Sequence, residues 1–431
     1  MNQKVALFIP AKDHSERIVN KNLKILDGEY LFRRKILQLL KCKQVHEIWL
    51  DSDSKEMHEL TKHLPIKHLD RDPSLATNKT DGHLLFANEA KYTDADIVVQ
   101  VLCTAPFLDS NTVDDAIKKF IESDHSSMVA ITKNKFYEWE KGEPVYGDAI
   151  PNSKDLPEKI VETMSLYAVK RNTNPITRRY LPDPLLYELA PLQSIDIDNK
   201  EDFQLAETIC AGQRSLEVQQ MTALGRILTT SIVSDVCKEL NIPHFLSKKI
   251  RSLNSGRFIG RAKTLKIKNI ENNSKEWRGI FDALKSYEFL VPGDVIVVST
   301  DVPDKAYFGD VNSSFALRRG VVGAVIDGYT RDIDKITQMQ LPIFAHGSRA
   351  DDVRYKGTLE SYNLPITIND IVIQNNDIMI ADSDGVVVVP QHLWITVLEK
   401  SQNAIETEQK IKIQAIFGAD PFEILKKHGD F

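Results

Sequence analysis

Cysteine is scarce: the 431 residues contain four, Cys42, Cys103, Cys210 and Cys237, with neither a CxxC pair nor Cys/His spacing. That scarcity argues against a disulfide framework or a zinc site and for a reducing compartment. Long apolar runs are missing too, and the opening MNQKVALFIPAKDHSER has too short an apolar stretch for a signal peptide. The expected location is the cytoplasm. No charge sign dominates: 55 Lys and Arg stand against 61 Asp and Glu, a formal net charge of −6. Such a balance gives no reason to expect a nucleic acid or an acidic membrane as partner. Internal repeats and low-complexity tracts are also absent. What is present, 42% hydrophobic and 27% charged residues, is the composition of a soluble globular protein. Its length exceeds one ordinary core, so two or three domains are expected.

The first half alternates short apolar runs with helical patterns. VALFIPA (5–11), EIWLDSD (47–53), DIVVQVL (96–102) and SMVAIT (127–132) have the composition of strands; LFRRKILQLLKC (31–42) and VDDAIKKFIES (113–123) carry amphipathic helical spacing. The alternation predicts an α/β unit, a largely parallel sheet with helices on both faces. A helical stretch over roughly 213–242 follows, which places the domain boundary near 212 and the domains at 1–212 and 213–431. The second half is richer in strand signals, among them DVIVVST, GAVIDG, DIMIAD and GVVVVP, several apolar enough for strands covered on both faces. ENNSKEWRG (271–279) is expected as a surface loop, and WITVLEKSQNAIETEQKIKIQAI as a closing helix.

IPAKDHSERIVNKN (9–22) directly follows the first strand, where α/β sheets gather ligands. Lys12, Ser15, Arg17, Lys21 and Asn22 are cations and donors suited to a triphosphate, although such a loop alone is first read as a basic surface loop. With LDSDS (50–54), RDPSLATNKTDGHLL (71–85), CTAPFL (103–108) and SIDIDNKEDFQLAE (194–207) in order, residues 4–210 resemble the CMP-sugar synthetases, cytidylyltransferases that activate sialic acids and KDO with CTP. The resemblance implies a Rossmann-like nucleotidyltransferase fold in which Lys12 and Lys21 hold CTP phosphates, Lys21 with a catalytic share, and Ser15 joins the nucleotide-binding residues. Asn22 and Arg71 contact the nucleotide, and Asp196 and Asp198, two apart on a strand, bind Mg²⁺. The alternative for IDID is a strand edge with solvated carboxylates. Lys12 replaces the usual arginine of the sialic-acid enzymes, and residues 102–108 lack the glutamine and arginine that serve the acceptor there. A keto-deoxy sugar acid or a phosphonate fits the acceptor side at least as well as sialic acid.

GDVNSSFALRRGVVGAVIDGYTRD (309–332) carries an aspartate, Asp310, then twenty residues, then Arg331-Asp332. Alone, DGYTRD is a turn in which Arg331 pairs with a neighbouring carboxylate. With GRAKTL (260–265), VPGDVIVV (291–298), LPIFAHG (341–347) and ADSDGVVVVP (381–390), the second half resembles the RraA-like proteins and the 4-hydroxy-4-methyl-2-oxoglutarate aldolases. The aldolases of that family carry the same Asp, twenty residues, Arg-Asp spacing. The resemblance implies a metal-dependent pyruvate aldolase or decarboxylase acting on a 2-keto acid. Asp332 holds Mg²⁺ or Mn²⁺, Arg331 binds the keto acid and neutralises the enolate, and Asp310 handles the proton. Gly309 and the loop around Asn312 supply backbone N–H groups to the substrate carboxylate. Asp382, Asp384 and Gly385 are assigned to a tight turn, and His346 to packing. The two resemblances imply dimers for the first domain and trimers or hexamers for the second, hence a homo-oligomer. The expectation is a bifunctional enzyme; the alternative is one catalytic half beside a nucleotide-sensing or RraA-like scaffolding module.

Overall fold

The computed structural model describes residues 3–77, 79–172, 175–270 and 275–429. The chain divides into two compact units, Met1–Cys210 and Ala211–Phe431. No helix of the described residues is long and apolar enough to cross a membrane.

In the first unit β1 (Val5–Pro10), β2 (Glu47–Ser52), β3 (Lys67–Asp70), β4 (Ile97–Val101), β5 (Ser127–Asn134), β6 (Lys159–Lys170) and β7 (Leu185–Glu188) form one sheet in the order β7-β5-β6-β4-β1-β2-β3. Alternate residues of β1 explain its unbroken apolar run. Val5, Leu7 and Ile9 join Phe32 and Ile36 of α1 (Leu31–Leu39), while Ala6 and Phe8 join Phe86 of α2 (Gly82–Glu89) on the other face. The sheet is covered twice, as expected of such runs. It is largely parallel, as expected, with one reversed strand: β6 runs antiparallel to both β4 and β5. From β1 the chain steps outward to β2 and β3, then returns to lay β4 on the other side of β1. The strand order reverses between β1 and β4, and a crevice opens at their carboxyl ends.

Three local expectations are corrected. Residues 195–198 are not a strand; they are an extended loop leading into the helix Lys200–Leu224, its path set by Ile197 N–H donating to the Thr104 carbonyl at 2.8 Å. The expected helix over 213–242 is instead two, Lys200–Leu224 and Thr230–Glu239, parted at Gly225 and restarted by the Thr229 cap. Of the loop expected at 271–279, residues 271–274 lie outside the described residues, and Lys275 opens a helical segment to Phe289 whose buried Ile280, Ala283 and Tyr287 recur at helical intervals.

The second unit is built on β8 (Arg251–Ser252), β9 (Phe258–Asn269), β10 (Asp294–Thr300), β11 (Ala306–Phe308), β12 (Gly323–Ile326), β13 (Tyr329–Thr330), β14 (Ile343–Ala345), β15 (Gly347–Ser348), β16 (Gly357–Tyr362), β17 (Ile378–Asp382) and β18 (Gly385–Val389). The main sheet runs β8-β14-β12-β10-β9-β17-β18, with β16 also on β9. Its centre is parallel, and every residue of β10 is buried. β17 and β18 form a tight hairpin in which Asp382 pairs with Gly385, whose φ of 144° suits glycine. A small parallel sheet, β11-β13-β15, positions the second site.

Candidate active sites

In the first unit the loops at the ends of β1 and β4 enclose a cavity of about 450 Å³ that receives Lys12, Ser15, Lys21, Asn22 and Arg71 together. A left-handed Asn20 (φ 52°) precedes a short turn, Lys21–Leu23, and sends Lys21 and Asn22 inward. The buried Lys21 Nζ donates to the Ile197 carbonyl at 2.7 Å, and Asn22 Nδ2 donates to the Lys12 carbonyl at 2.9 Å. Cys103 Sγ lies 3.2 Å from Asn22 Oδ1 and ties the β4 end into the same frame. Burial, then the nearby Lys21, lowers the Lys12 ammonium below its ordinary range. A site that already disfavours the charge on Lys12 is suited to an anion.

Arg71 is held from behind. Its Nε and Nη2 each donate to the fully buried Asp51 carboxylate at 3.0 Å, and Nη2 also reaches the Asp51 carbonyl at 2.7 Å. Beneath them, burial and then Asp51 push the Glu89 carboxyl well above the carboxylate range, while Gln100 donates to it at 2.5 Å. Asp51 therefore balances Arg71, while burial disfavours a second negative charge on Glu89.

The IDID segment splits its carboxylates. Asp198 Oδ1 pairs with Arg17 at 2.7 Å. Asp196 is pushed up to about 6, first by burial and further by Asp198, against a hydrogen bond from Thr104; its Oδ1 is buried without a partner. No group of three or more His, Cys, Asp or Glu among the described residues is arranged for a metal ion. One orphaned carboxylate oxygen beside a cation-lined cavity nevertheless fits Mg²⁺, which is commonly held by one or two carboxylates, waters and substrate phosphates.

In the second unit the 22-residue offset from Asp310 to Asp332 has a structural cause. β11 pairs with β13 in the register Phe308↔Thr330, so the residues two further on leave the sheet side by side. Asp310 opens the helix Asp310–Arg318, Asp332 precedes the helix Ile333–Gln338, and both line a cavity of about 790 Å³ with Arg331, Lys335 and Arg349. Gly309 permits the approach: a Cβ there would fall 2.8 Å from Asp332 Oδ2. Asp332 itself sits at φ 58°, strained for a residue with a side chain. Its Oδ2 lies 3.5 Å from both Arg331 Nε and the Asp310 amide, too far for strong bonds. A carboxylate so cradled and so loosely engaged fits a hydrated Mg²⁺ or Mn²⁺. Arg331 pairs with Asp352 at 2.8 Å, and Asp310 with Lys335 at 2.9 Å, which holds the Asp310 carboxyl below its ordinary range. Asn312 is not in a loop but in the first turn of the helix Asp310–Arg318, outside the cavity lining. His346 bonds Asp327 at 3.0 Å and lines a separate open cavity with Lys248, Lys249 and Arg251.

Several residues of these sites escape the motifs. Asp51, Glu89, Gly82 and Arg179 in the first unit, and Lys335, Arg349 and Asp352 in the second, acquire their places through long-range contacts. Only Asp51, inside LDSDS, and Gly82, inside RDPSLATNKTDGHLL, had a sequence signal.

Residues 6–220 match the cytidylyltransferase family model, and residues 230–388 the Aldolase/RraA model. An N-acylneuraminate cytidylyltransferase of Oncorhynchus mykiss is 22% identical over 215 residues, 47% of this chain and 49% of the relative. A 3-deoxy-manno-octulosonate cytidylyltransferase of Chloroherpeton thalassium is 32% identical over 120 residues, 28% of this chain and 47% of the relative. A "Putative 4-hydroxy-4-methyl-2-oxoglutarate aldolase" of Halalkalibacterium halodurans is 29% identical over 179 residues, 41% of this chain and 80% of the relative. The chain spans about half the length of the two cytidylyltransferases. Its first unit belongs to the cytidylyltransferase family and its second to the Aldolase/RraA family.

Proposed function

We propose that the chain is a bifunctional enzyme of two domains, 1–212 and 213–431. The first transfers CMP from CTP to an acidic acceptor, a sugar acid or a phosphonate, and releases pyrophosphate. The observation that carries this reading is the cavity at the β1/β4 switch point, where Lys12, Ser15, Lys21, Asn22 and Arg71 converge. Lys12, Ser15 and Lys21 would hold the triphosphate, and Asn22 and Arg71 the nucleoside. Asp196, with Asp198 behind it, would hold Mg²⁺, which when bound neutralises phosphate charge. Catalysis then rests on alignment and charge neutralisation by Lys21. The test is pyrophosphate release on mixing the protein, CTP, Mg²⁺ and a panel of sugar acids and phosphonates, with thermal-shift titration of CTP against ATP. No stabilisation by CTP would sink the reading.

The second domain acts on a 2-keto acid by cleavage or decarboxylation to a pyruvate enolate. Asp310, Arg331 and Asp332 face one cavity. Arg331 would bind the keto acid and stabilise the enolate, Asp310 would carry the proton, and Asp332 would hold the divalent ion, a Lewis acid when bound. Gly309 and the first-turn amides near Asn312 would meet the substrate carboxylate. Oxaloacetate is the test substrate, assayed for pyruvate with Mn²⁺ and with EDTA. A second reading, a regulatory or scaffolding module, has its own support: Arg331 and Asp310 are already ion-paired, as in an ordinary turn. Background pyruvate formation by wild type, Arg331→Ala, Asp310→Asn and Asp332→Ala alike would favour it. Assembly as a homo-oligomer in the cytoplasm, without nucleic acid or membrane partners, completes the proposal; sedimentation analysis tests the assembly.

A further inference from the structure

Arg179 is a cation of the first unit's cavity that no carboxylate matches among the described residues. Only 8% exposed, it stacks over the Tyr167 ring at 4.8 Å, and its buried Nε has no acceptor. Its polar neighbour is the neutral Tyr167 hydroxyl, which itself donates to Glu162. The guanidinium rests on the backbone of Gly82, where a Cβ would fall 2.5 Å from Nη1 and 2.6 Å from Cζ. Gly82 is the first residue of the eight-residue α2, and the cap Asp81 is engaged by the His83 amide at 2.6 Å.

An arginine laid across a helix N-terminus, stacked and without a counter-charge, is disfavoured both by the helix dipole and by its own burial. An anion placed between them reverses both effects. The planar fork of a guanidinium matches a carboxylate or phosphonate in two parallel bonds. Gly82 and Arg179 line the same cavity as Lys12, Ser15 and Lys21, so this anion would lie beside a bound triphosphate. The loop at the end of β4, residues 102–108, supplies no cation for it.

We propose that Arg179, seated on Gly82, is the receptor for the acid group of the acceptor. The cavity thus takes a small carboxylic or phosphonic acid alongside the nucleotide. The inference rests on the nucleotide-transfer reading and deepens it. Arg179 sets acceptor specificity, while Lys12, Ser15 and Lys21 serve the phosphates.

The test uses the full chain in thermal-shift titrations with methylphosphonate and acetate, with CTP and Mg²⁺ saturating. In wild type one of these acids should add a second upward shift. Arg179→Met should abolish that shift and leave the Kd for CTP within about twofold. Gly82→Ala, which displaces the guanidinium without removing it, should weaken the acid roughly tenfold, the scale of losing one charge-assisted hydrogen bond. If Arg179→Met does not fold, Gly82→Ala and Arg179→Lys carry the comparison. A tenfold loss of CTP affinity in Arg179→Met would assign the guanidinium to the triphosphate and overturn the proposal. So would acid shifts equal in wild type and variant, or absent from both. If CTP fails to stabilise wild type, the nucleotide reading falls by itself, and the acids compared on wild type and Arg179→Met without CTP still decide the role of Arg179.

Discussion

Both cavities are lined with lysine, arginine and a carboxylate, Glu16 in the first and Asp310 and Asp332 in the second, but they hold their charge differently. In the first unit Lys21 is buried against a backbone carbonyl, Arg179 is buried with no counter-ion among the described residues, and Arg71 is clamped by a fully buried Asp51. In the second, Arg331 pairs with Asp352 and Lys335 with Asp310, and the two cations are 38% and 65% exposed. Buried, under-compensated cations make the empty site uncomfortable and the anion-filled site favourable. Solvated ion pairs do the reverse: they cost little to form, contribute about 0–1 kcal/mol each, and compete with a ligand for the same cation. On the proposed reading, the first site would hold a highly charged ligand and the second would exchange partners on Arg331.

The largest effects should come from deleting the cations assigned to catalysis. Lys21→Ala is expected to slow pyrophosphate release by roughly 10²–10³-fold, and Arg331→Ala to slow pyruvate formation from oxaloacetate by roughly as much. The comparison predicts that their stabilities diverge. Differential scanning calorimetry should find the Arg331→Ala transition nearly unmoved, since an exposed pair is lost. A large drop in melting temperature there would break the contrast.

Next in size is the metal requirement of the first unit. Asp196 has the orphaned oxygen and Asp198 is occupied by Arg17, so Asp196→Asn should raise the Mg²⁺ concentration for half-maximal activity about 10-fold or more. Asp198→Asn should raise it only a few-fold. Equal shifts in Mg²⁺ titrations would undo the assignment of unequal roles.

A smaller, pH-dependent effect follows from Lys35. Fully buried and donating to the Leu108 carbonyl at 2.5 Å, its ammonium is lowered to about 7, chiefly by burial. Between pH 7 and the ordinary lysine value of 10.5 the unfolded chain binds the proton and the folded unit does not. The stability contribution of this group therefore rises with pH across that window, by at most about 1.4 kcal/mol per pH unit, and is flat below pH 7. Urea unfolding at several pH values should show that rise in wild type and lose it in Lys35→Met.

The smallest expected change is at Asp352. Asp352→Asn frees Arg331 from its partner and should lower the KM for oxaloacetate by roughly two- to five-fold, the scale of one solvated ion pair. A KM that rises instead would mean that Asp352 orients Arg331 rather than competing for it.

Much of this was legible in the chain. The apolar runs within Val5–Pro10, Ile97–Val101 and Asp294–Thr300 specify buried strands because a sheet covered on both faces needs mostly apolar side chains, with the few polar ones, such as Gln100, hydrogen-bonded. The closing helix Trp394–Ile416 was marked by its own composition. Asp310 and Arg331-Asp332 were legible through the family resemblance, and the Phe308↔Thr330 register accounts for their spacing. The lysines of the first loop follow their strand so closely that chain order alone carries them to the crevice.

Other features belong to the tertiary structure alone. The IDID segment alternates like a strand, yet no neighbouring strand pairs with it and the Thr104 carbonyl captures it as a loop. β6 joins its sheet antiparallel because of where the long connection from β5 returns, which no local pattern encodes. Arg179 stands in a loop with no motif or period, and its place against Gly82, 97 residues earlier, comes from the folding of distant segments onto one cavity. Whether Arg71 is free or clamped, and which of Asp196 and Asp198 keeps an open oxygen, was decided the same way. Backbone propensity and apolar period act over a few residues and are written locally. The pairing of charges is settled by whichever distant groups burial brings within reach.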